Sequence, residues 1–168
     1  MRIRPPYCAE LMIKERLRGD GTGLRHLSLA GNPIKDIGTE ALALGIRANS
    51  VLRRLILSEC SISEQGAAKL GLALQNNSCL EHLSLSWNML GEKGAAFIAA
   101  ALESSPSLVS VDLEKCALGP EGTEAIGFAI RENDTLQALN MSANRLDTKA
   151  RIPDPALLPA SPVPPQLE

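Results

Sequence analysis

Apolar residues recur along this chain at a fixed interval. Leu24, Leu52, Leu80, Leu108 and Leu136 stand 28 residues apart without a slip. Three positions on come Leu27, Leu55, Leu83, Val111 and Leu139, and two further on Leu29, Leu57, Leu85, Leu113 and Met141. The resulting LxxLxL alternation buries one face of a short strand. Next comes Asn32, Cys60, Asn88, Cys116 or Asn144, and two residues later an aliphatic, Ile34, Ile62, Leu90, Leu118 or Leu146.

The second half of each unit has a helical period. After Gly38, Gly66, Gly94 and Gly122 come Leu42/Ile46, Leu70/Leu74, Ile98/Leu102 and Ile126/Ile130. Pairs at i, i+4 form one buried stripe on a helix. Gly45, Ala73, Ala101 and Ala129 beside them let neighbouring helices approach. Asn49, Asn77 and Asn133 follow the helices, where asparagine is expected to take a left-handed helix-end conformation; the third unit has Ser105-Pro106 instead. The four recurrent glycines are expected to shape the turn into each helix.

Stacking such units in parallel fixes the shape. Strands pack ~4.8 Å apart and helices ~8–10 Å apart, so the layers match only if the stack bends with the strands inside. With the layers ~10 Å apart, the bend is roughly 20–30° per repeat. Four complete units and a partial fifth then describe about a quarter-circle, able to cup a partner without enclosing it.

The LxxLxLxx(N/C)x(I/L) pattern, the glycine, the 28-residue period and the alternation of Asn with Cys resemble the ribonuclease-inhibitor class of leucine-rich repeats. The resemblance covers residues 24–148 and implies an α/β leucine-rich-repeat solenoid, a short right-handed arc with parallel strands on its concave face and helices on its convex face. Similar arrays occur in ribonuclease inhibitor, in the C-terminal halves of NOD-like receptors and in small repeat-only proteins. The resemblance thus implies a protein-interaction scaffold; a sensing segment of a NOD-like receptor and a structural part of an axoneme are the alternatives. An arc this short does not suit ribonuclease inhibition. The matching residues build the scaffold, so they do not choose among these functions.

Residues 1–23 read as the back half of an earlier repeat, with Ile13 and Leu17 continuing the helical stripe. At the other end, residues 149–168 read as a disordered, Pro-rich tail, because the six prolines of RIPDPALLPASPVPPQLE forbid a helix. Neither end carries the polar cap that repeat arrays need, so the chain is expected to be a fragment or alternative product of a longer array. Pro159-x-x-Pro162 and Pro162-x-x-Pro165 match the spacing of SH3 ligands; the tail is either such a ligand or passive.

Composition narrows the chemistry. With 17 basic and 19 acidic residues, the chain carries no electrostatic footprint for nucleic acid or anionic lipid. Aromatics make up 2% and hydrophobics 45%, so the core must be aliphatic. No apolar stretch of the secretory kind follows the start MRIRPPYCAE, and the longest apolar run, 95–102, is too short to span a bilayer. Cys8, Cys60, Cys79 and Cys116 form no CxxC pair, and a reduced, cytoplasmic protein is expected. The sequons at Asn76, Asn133 and Asn140 are then fortuitous, since two coincide with positions where a repeat needs asparagine.

No GxSxG, no P-loop and no Cys–His pair with an orienting carboxylate is found, so the chain is expected to be no enzyme, to need no cofactor and to take no small-molecule substrate. The expected partner is a protein, not nucleic acid or membrane. The residues between the core leucines should face the concave side: the column His26, Arg54, His82, Ser110, Ala138, then Ser28, Ile56, Ser84, Asp112, Asn140. The candidate partner-binding cluster is Arg54, Glu59, His82, Trp87, Asp112, Glu114 and Lys115. Trp and Arg most often dominate binding energy, and Trp87 is the only Trp; it either anchors a partner or packs on Met89 or the next repeat. His26 and His82, ~10 Å apart with Arg54 between them, are too distant to share a metal. Truncation after Ala150 is expected to leave the melting temperature unchanged; a large drop would show that the tail caps the last strand.

Overall fold

The structure, a computed structural model of the 168-residue chain, describes residues 23–144. The expected partial repeat before Leu24, Leu146 and the Pro-rich segment lie outside the described residues. Strands and helices alternate without exception: β1 (His26–Ser28), α1 (Lys35–Ala48), β2 (Arg54–Ile56), α2 (Glu64–Leu74), β3 (His82–Ser84), α3 (Gly91–Ser104), β4 (Ser110–Asp112), α4 (Gly119–Glu132) and β5 (Ala138–Asn140). The five strands form one sheet in sequence order. Every neighbouring pair is parallel, in the 28-residue register: Leu27 beside Leu55, Leu55 beside Leu83, Leu83 beside Val111 and Val111 beside Leu139.

The core lies between sheet and helices. Leu55, Leu83 and Val111 face it from the strands, and Leu42, Leu70, Ile98 and Ile126 from the helices, all buried. Its aliphatic composition suits the small gap left between layers whose units repeat. At the start of the described array the equivalent leucine, Leu24, is 46% exposed, against 1% for Leu52.

Three-residue strands leave much backbone in loops, where each buried N–H and C=O still needs a partner. The Asn/Cys position supplies it. Asn88 Oδ1 accepts from the N–H groups of Cys60 and Ile62, at 3.0 Å each, while its Nδ2 donates to the carbonyls of Leu57 and Leu85. Asn144 binds Cys116, Leu118, Leu113 and Met141 in the same way. Between them the buried thiols of Cys60 and Cys116 donate back one repeat, to the carbonyls of Leu29 and Leu85. The alternation is therefore physical: Asn88 and Asn144 each serve both repeats at a junction, and a thiol suffices in the repeat between, while Asn32 bonds only the carbonyls of Leu29 and Ala30 in its own repeat.

Two expectations about the helix ends are corrected. Asn49 and Asn133 are extended, with φ of −91° and −100°, not left-handed, and Asn77 is not among the positive-φ residues. Asparagine is there for its side chain. Asn77 Oδ1 accepts from the N–H groups of Cys79 and Leu80, and its Nδ2 donates to the carbonyls of Ile46 and Asn49 in the preceding repeat. Ser105 reproduces the accepting half, its Oγ receiving the N–H groups of Ser107 and Leu108. Likewise, the recurrent glycines do not shape the turn; they sit in the first helical turns, and Gly66, Gly94 and Gly122 stand where the preceding helix comes close. A Cβ on Gly122 would lie 2.6 Å from the Ala95 Cβ, and one on Gly94 3.0 Å from the Ala67 Cβ. Left-handed glycines occur elsewhere, at Gly31, Gly91 and Gly119.

Leu83→Ala should destabilise the chain by about 2–5 kcal/mol, because it leaves a cavity among residues held by neighbours on both sides. Thermal or denaturant unfolding measures this, and an unchanged midpoint would place Leu83 outside the core.

Candidate functional site

On the concave side, the strands alternate between core-facing and outward-facing residues. Arg54 is exposed, Leu55 buried and Ile56 half-buried, and β3 and β4 repeat the pattern. The register places His26, Arg54, His82, Ser110 and Ala138 in one row, and Ser28, Ile56, Ser84, Asp112 and Asn140 in the next, as the spacing predicts. Arg53 lies just ahead of this row. It forms an ion pair with Glu81 (Nε–Oε1 3.3 Å) and donates to the carbonyls of Ser50 and Cys79.

The centre of the face is an ordered polar network. The Ser84 hydroxyl lies 2.9 Å from the Ser58 hydroxyl and 3.2 Å from that of Ser86, and it donates to Asp112 Oδ2 at 3.0 Å. Asp112 Oδ1 accepts from Asn140 Nδ2 and from the Glu114 N–H. The Asp112 carboxylate is thus held by its own neighbours across three strands. Among the candidate residues it is the one that organises the surface instead of standing free on it.

Beyond the strands the chain turns through a left-handed residue in each repeat: Gly31, Glu59, Trp87, Lys115 and Ala143 all have φ between 51° and 72°. The turn points each N–H at the next repeat. Gly31 donates to the Ser58 carbonyl, Glu59 to Ser86, Trp87 to Glu114 and Lys115 to Ser142, at 2.8–3.0 Å. Side chains at this position leave the sheet and line the rim. Trp87 is 50% exposed, with the Lys115 ammonium 3.4 Å from its ring centroid. Met89, 72% exposed, stands nearby. On the side of the preceding repeat an open groove is lined by Glu59, Ser61, Ser63, Trp87 and Met89. Of the two readings of Trp87, packing on the next repeat thus amounts to a cation–π contact with Lys115, and half of the side chain remains open to solvent.

The structure brings Arg54 and His82 together on adjacent strands, and Glu59, Trp87 and Lys115 onto one rim. Glu114 lies half-buried between Asp112 and that rim. Sequence reasoning missed the serine–aspartate network, whose members looked like separate polar positions, and the part of Met89 in the groove. It also missed a convex apolar column, exposed Leu44, Leu72 and Phe128, although those residues too follow the 28-residue spacing.

Among the described residues, the cysteines Cys60, Cys79 and Cys116 are packed thiols. Burial raises the thiol pKa of Cys60. Burial, assisted by the charges of Asp112 and Glu114 and opposed by a backbone hydrogen bond, pushes that of Cys116 up to about 12. Among the described residues, no group of three His, Cys, Asp or Glu could hold a metal ion, and no helix is long and apolar enough to cross a membrane.

A sequence family described as Leucine Rich repeat matches residues 22–43, 76–99 and 104–127. The chain is a leucine-rich-repeat solenoid. The array is similar to the solved structure of leiomodin-1 actin-binding site 2, with a TM-score of 0.72 and 20% identity over 82% of this chain and 80% of that one. It is similar also to the C-terminal domain of tropomodulin from Caenorhabditis elegans, with a TM-score of 0.68 and 21% identity over 79% of this chain and 82% of that one. At these identities the likeness is one of fold. No curated protein matches the chain in sequence.

A thiol whose pKa is raised by folding stabilises the fold below its unfolded value, and this contribution fades as pH climbs toward the folded value. Stability should therefore fall as pH rises from 9.0 to about 12. Cys116→Ala should lower stability at neutral pH and flatten that alkaline fall. Melting temperature against pH is the measurement, and an unchanged slope would remove Cys116 as a cause.

Proposed function

We propose that this array is a non-enzymatic, cytoplasmic protein-interaction scaffold of the ribonuclease-inhibitor type. It binds its partner through the concave face and the adjoining rim of the second to fourth repeats. The binding cluster is Arg54, Glu59, His82, Trp87, Glu114 and Lys115, with Asp112 holding the surface between them.

Trp87 is the observation that carries this reading. A left-handed backbone costs a non-glycine residue of order 1–3 kcal/mol, and the first repeat has glycine at the equivalent position, Gly31. The third repeat keeps a tryptophan there and leaves half of it in water. A large aromatic side chain at a left-handed position, with half of its surface open to solvent, suits an anchor for another molecule. Lys115 over one ring face limits the rotamers of Trp87, so less side-chain entropy is lost on binding. Charges on both sides, Glu59 and Lys115, can set a partner's orientation. One of the two similar folds is described as an actin-binding site, an instance of the same architecture serving protein recognition in that protein.

Trp87→Ala should weaken partner binding by about 2 kcal/mol or more. Its effect on folding should stay near 1 kcal/mol or less, since an exposed cation–π contact is worth about 0.5–1 kcal/mol. Partner affinity and melting temperature are to be compared for Trp87→Ala and for Lys69→Ala on the convex face. Equal affinities would remove the concave site, and a large stability loss for Trp87→Ala would make the tryptophan a packing residue.

A further inference from the structure

The three side chains His26, Arg54 and His82 occupy one row on three adjacent strands, paired directly in the register. At ~4.8 Å per strand the row spans ~10 Å. His26 and Arg54 are exposed and His82 is half-buried, all on the face turned away from the core. Arg25, also exposed, precedes His26 on the same edge. From the structure we infer that this row is a docking site for an acidic segment of a protein partner.

Charge accounting around the row supports this. The charged residues next to the row are Arg25, Arg53 and Glu81, each just ahead of its strand, and Asp112 in the neighbouring row on β4. Glu81 is matched by Arg53 at 3.3 Å. Asp112 accepts hydrogen bonds from Ser84, Asn140 and the Glu114 N–H. Arg25 and Arg54 have no ion-pair or hydrogen-bond partner for their guanidinium groups among the described residues. The N-terminal half of the concave face is thus positive at neutral pH, in a chain whose formal net charge is −2. The C-terminal half, with Asp112 and Glu114, is negative.

Shape and charge together choose the ligand. A carboxylate can take a bidentate fork from Arg54, with an imidazole on each side for neighbouring carboxylates. A nucleic-acid backbone or an anionic bilayer presents negative charge over a longer span, and would run onto the acidic half of the face. A short run of Asp and Glu matches the row alone.

The inference rests on the concave-face reading above and is tested separately from it. The probe is a short peptide of alternating Glu and Asp, titrated into the full chain in low-salt buffer. Arg54→Gln should weaken binding about threefold to tenfold, the size expected of half-exposed charge pairs, with melting temperature unchanged. The double variant His26→Gln/His82→Gln should weaken it as well. Shifts of the two imidazole C–H resonances on adding peptide would locate the contact. Absent peptide binding, or an affinity unchanged in both variants, would overturn the inference. So would tighter binding of duplex DNA or phosphatidylserine vesicles that depends on Arg54. A natural partner that is lost with Trp87→Ala but indifferent to both row variants would refute the row and leave the scaffold reading standing.

Discussion

The structure depends on satisfying backbone groups that its strands are too short to satisfy. Each strand contributes three residues to the sheet, yet the loop behind it is buried against the next repeat. Asn88 and Asn144 solve this with one carboxamide each, which accepts two N–H groups from the preceding repeat and donates to carbonyls on both sides of the junction. The same solution recurs at the other end of the repeat with Asn77 and Asn133. Every buried side-chain nitrogen and oxygen among the described residues has a partner. Packing then follows, because these bonds hold neighbouring repeats in register while the leucines fill the space between layers.

The helical layer meets a separate constraint. Successive helices must lie near enough to follow strands spaced ~4.8 Å apart, and glycines stand where they come close, at Gly66, Gly71, Gly94 and Gly122. Asp36 ties the same junction electrostatically: its carboxylate accepts from the Ser63 hydroxyl and from the N–H groups of Ser63 and Gly66, at the start of α2. An anion there also meets the positive end of the helix dipole. Cross-repeat polar contacts thus appear on three sides of the core, at the rim, at the helix ends and between helices.

Because the scaffold is satisfied internally, residues that add nothing to it stand out. The side chains of Arg54, His26 and His82 make no hydrogen bond or ion pair among the described residues, and Trp87 occupies a strained rim position that glycine fills in the first repeat. Asp112 had the same standing in the sequence, as an outward-facing charge on a strand. In the folded chain it belongs to a hydroxyl–carboxylate network, which shapes the ground between the basic row and the aromatic rim.

The sequence by itself determined the repeat, the strand and helix positions, the parallel register and the two concave rows. All of these follow from a period without a slip, since equal spacing puts equivalent residues side by side in any parallel stack. It also marked Trp87 as the exceptional aromatic. Only the tertiary structure decided why particular polar and small residues recur. An asparagine after a helix reads the same whether its backbone is left-handed or its side chain bridges two repeats, and a glycine reads the same in a turn or beneath another helix. The partner that distinguishes these cases lies a full repeat away in sequence. The state of Asp112 and the stacking of Lys115 on Trp87 were hidden for the same reason: both depend on atoms from adjoining strands, which periodicity aligns but whose contacts it does not specify.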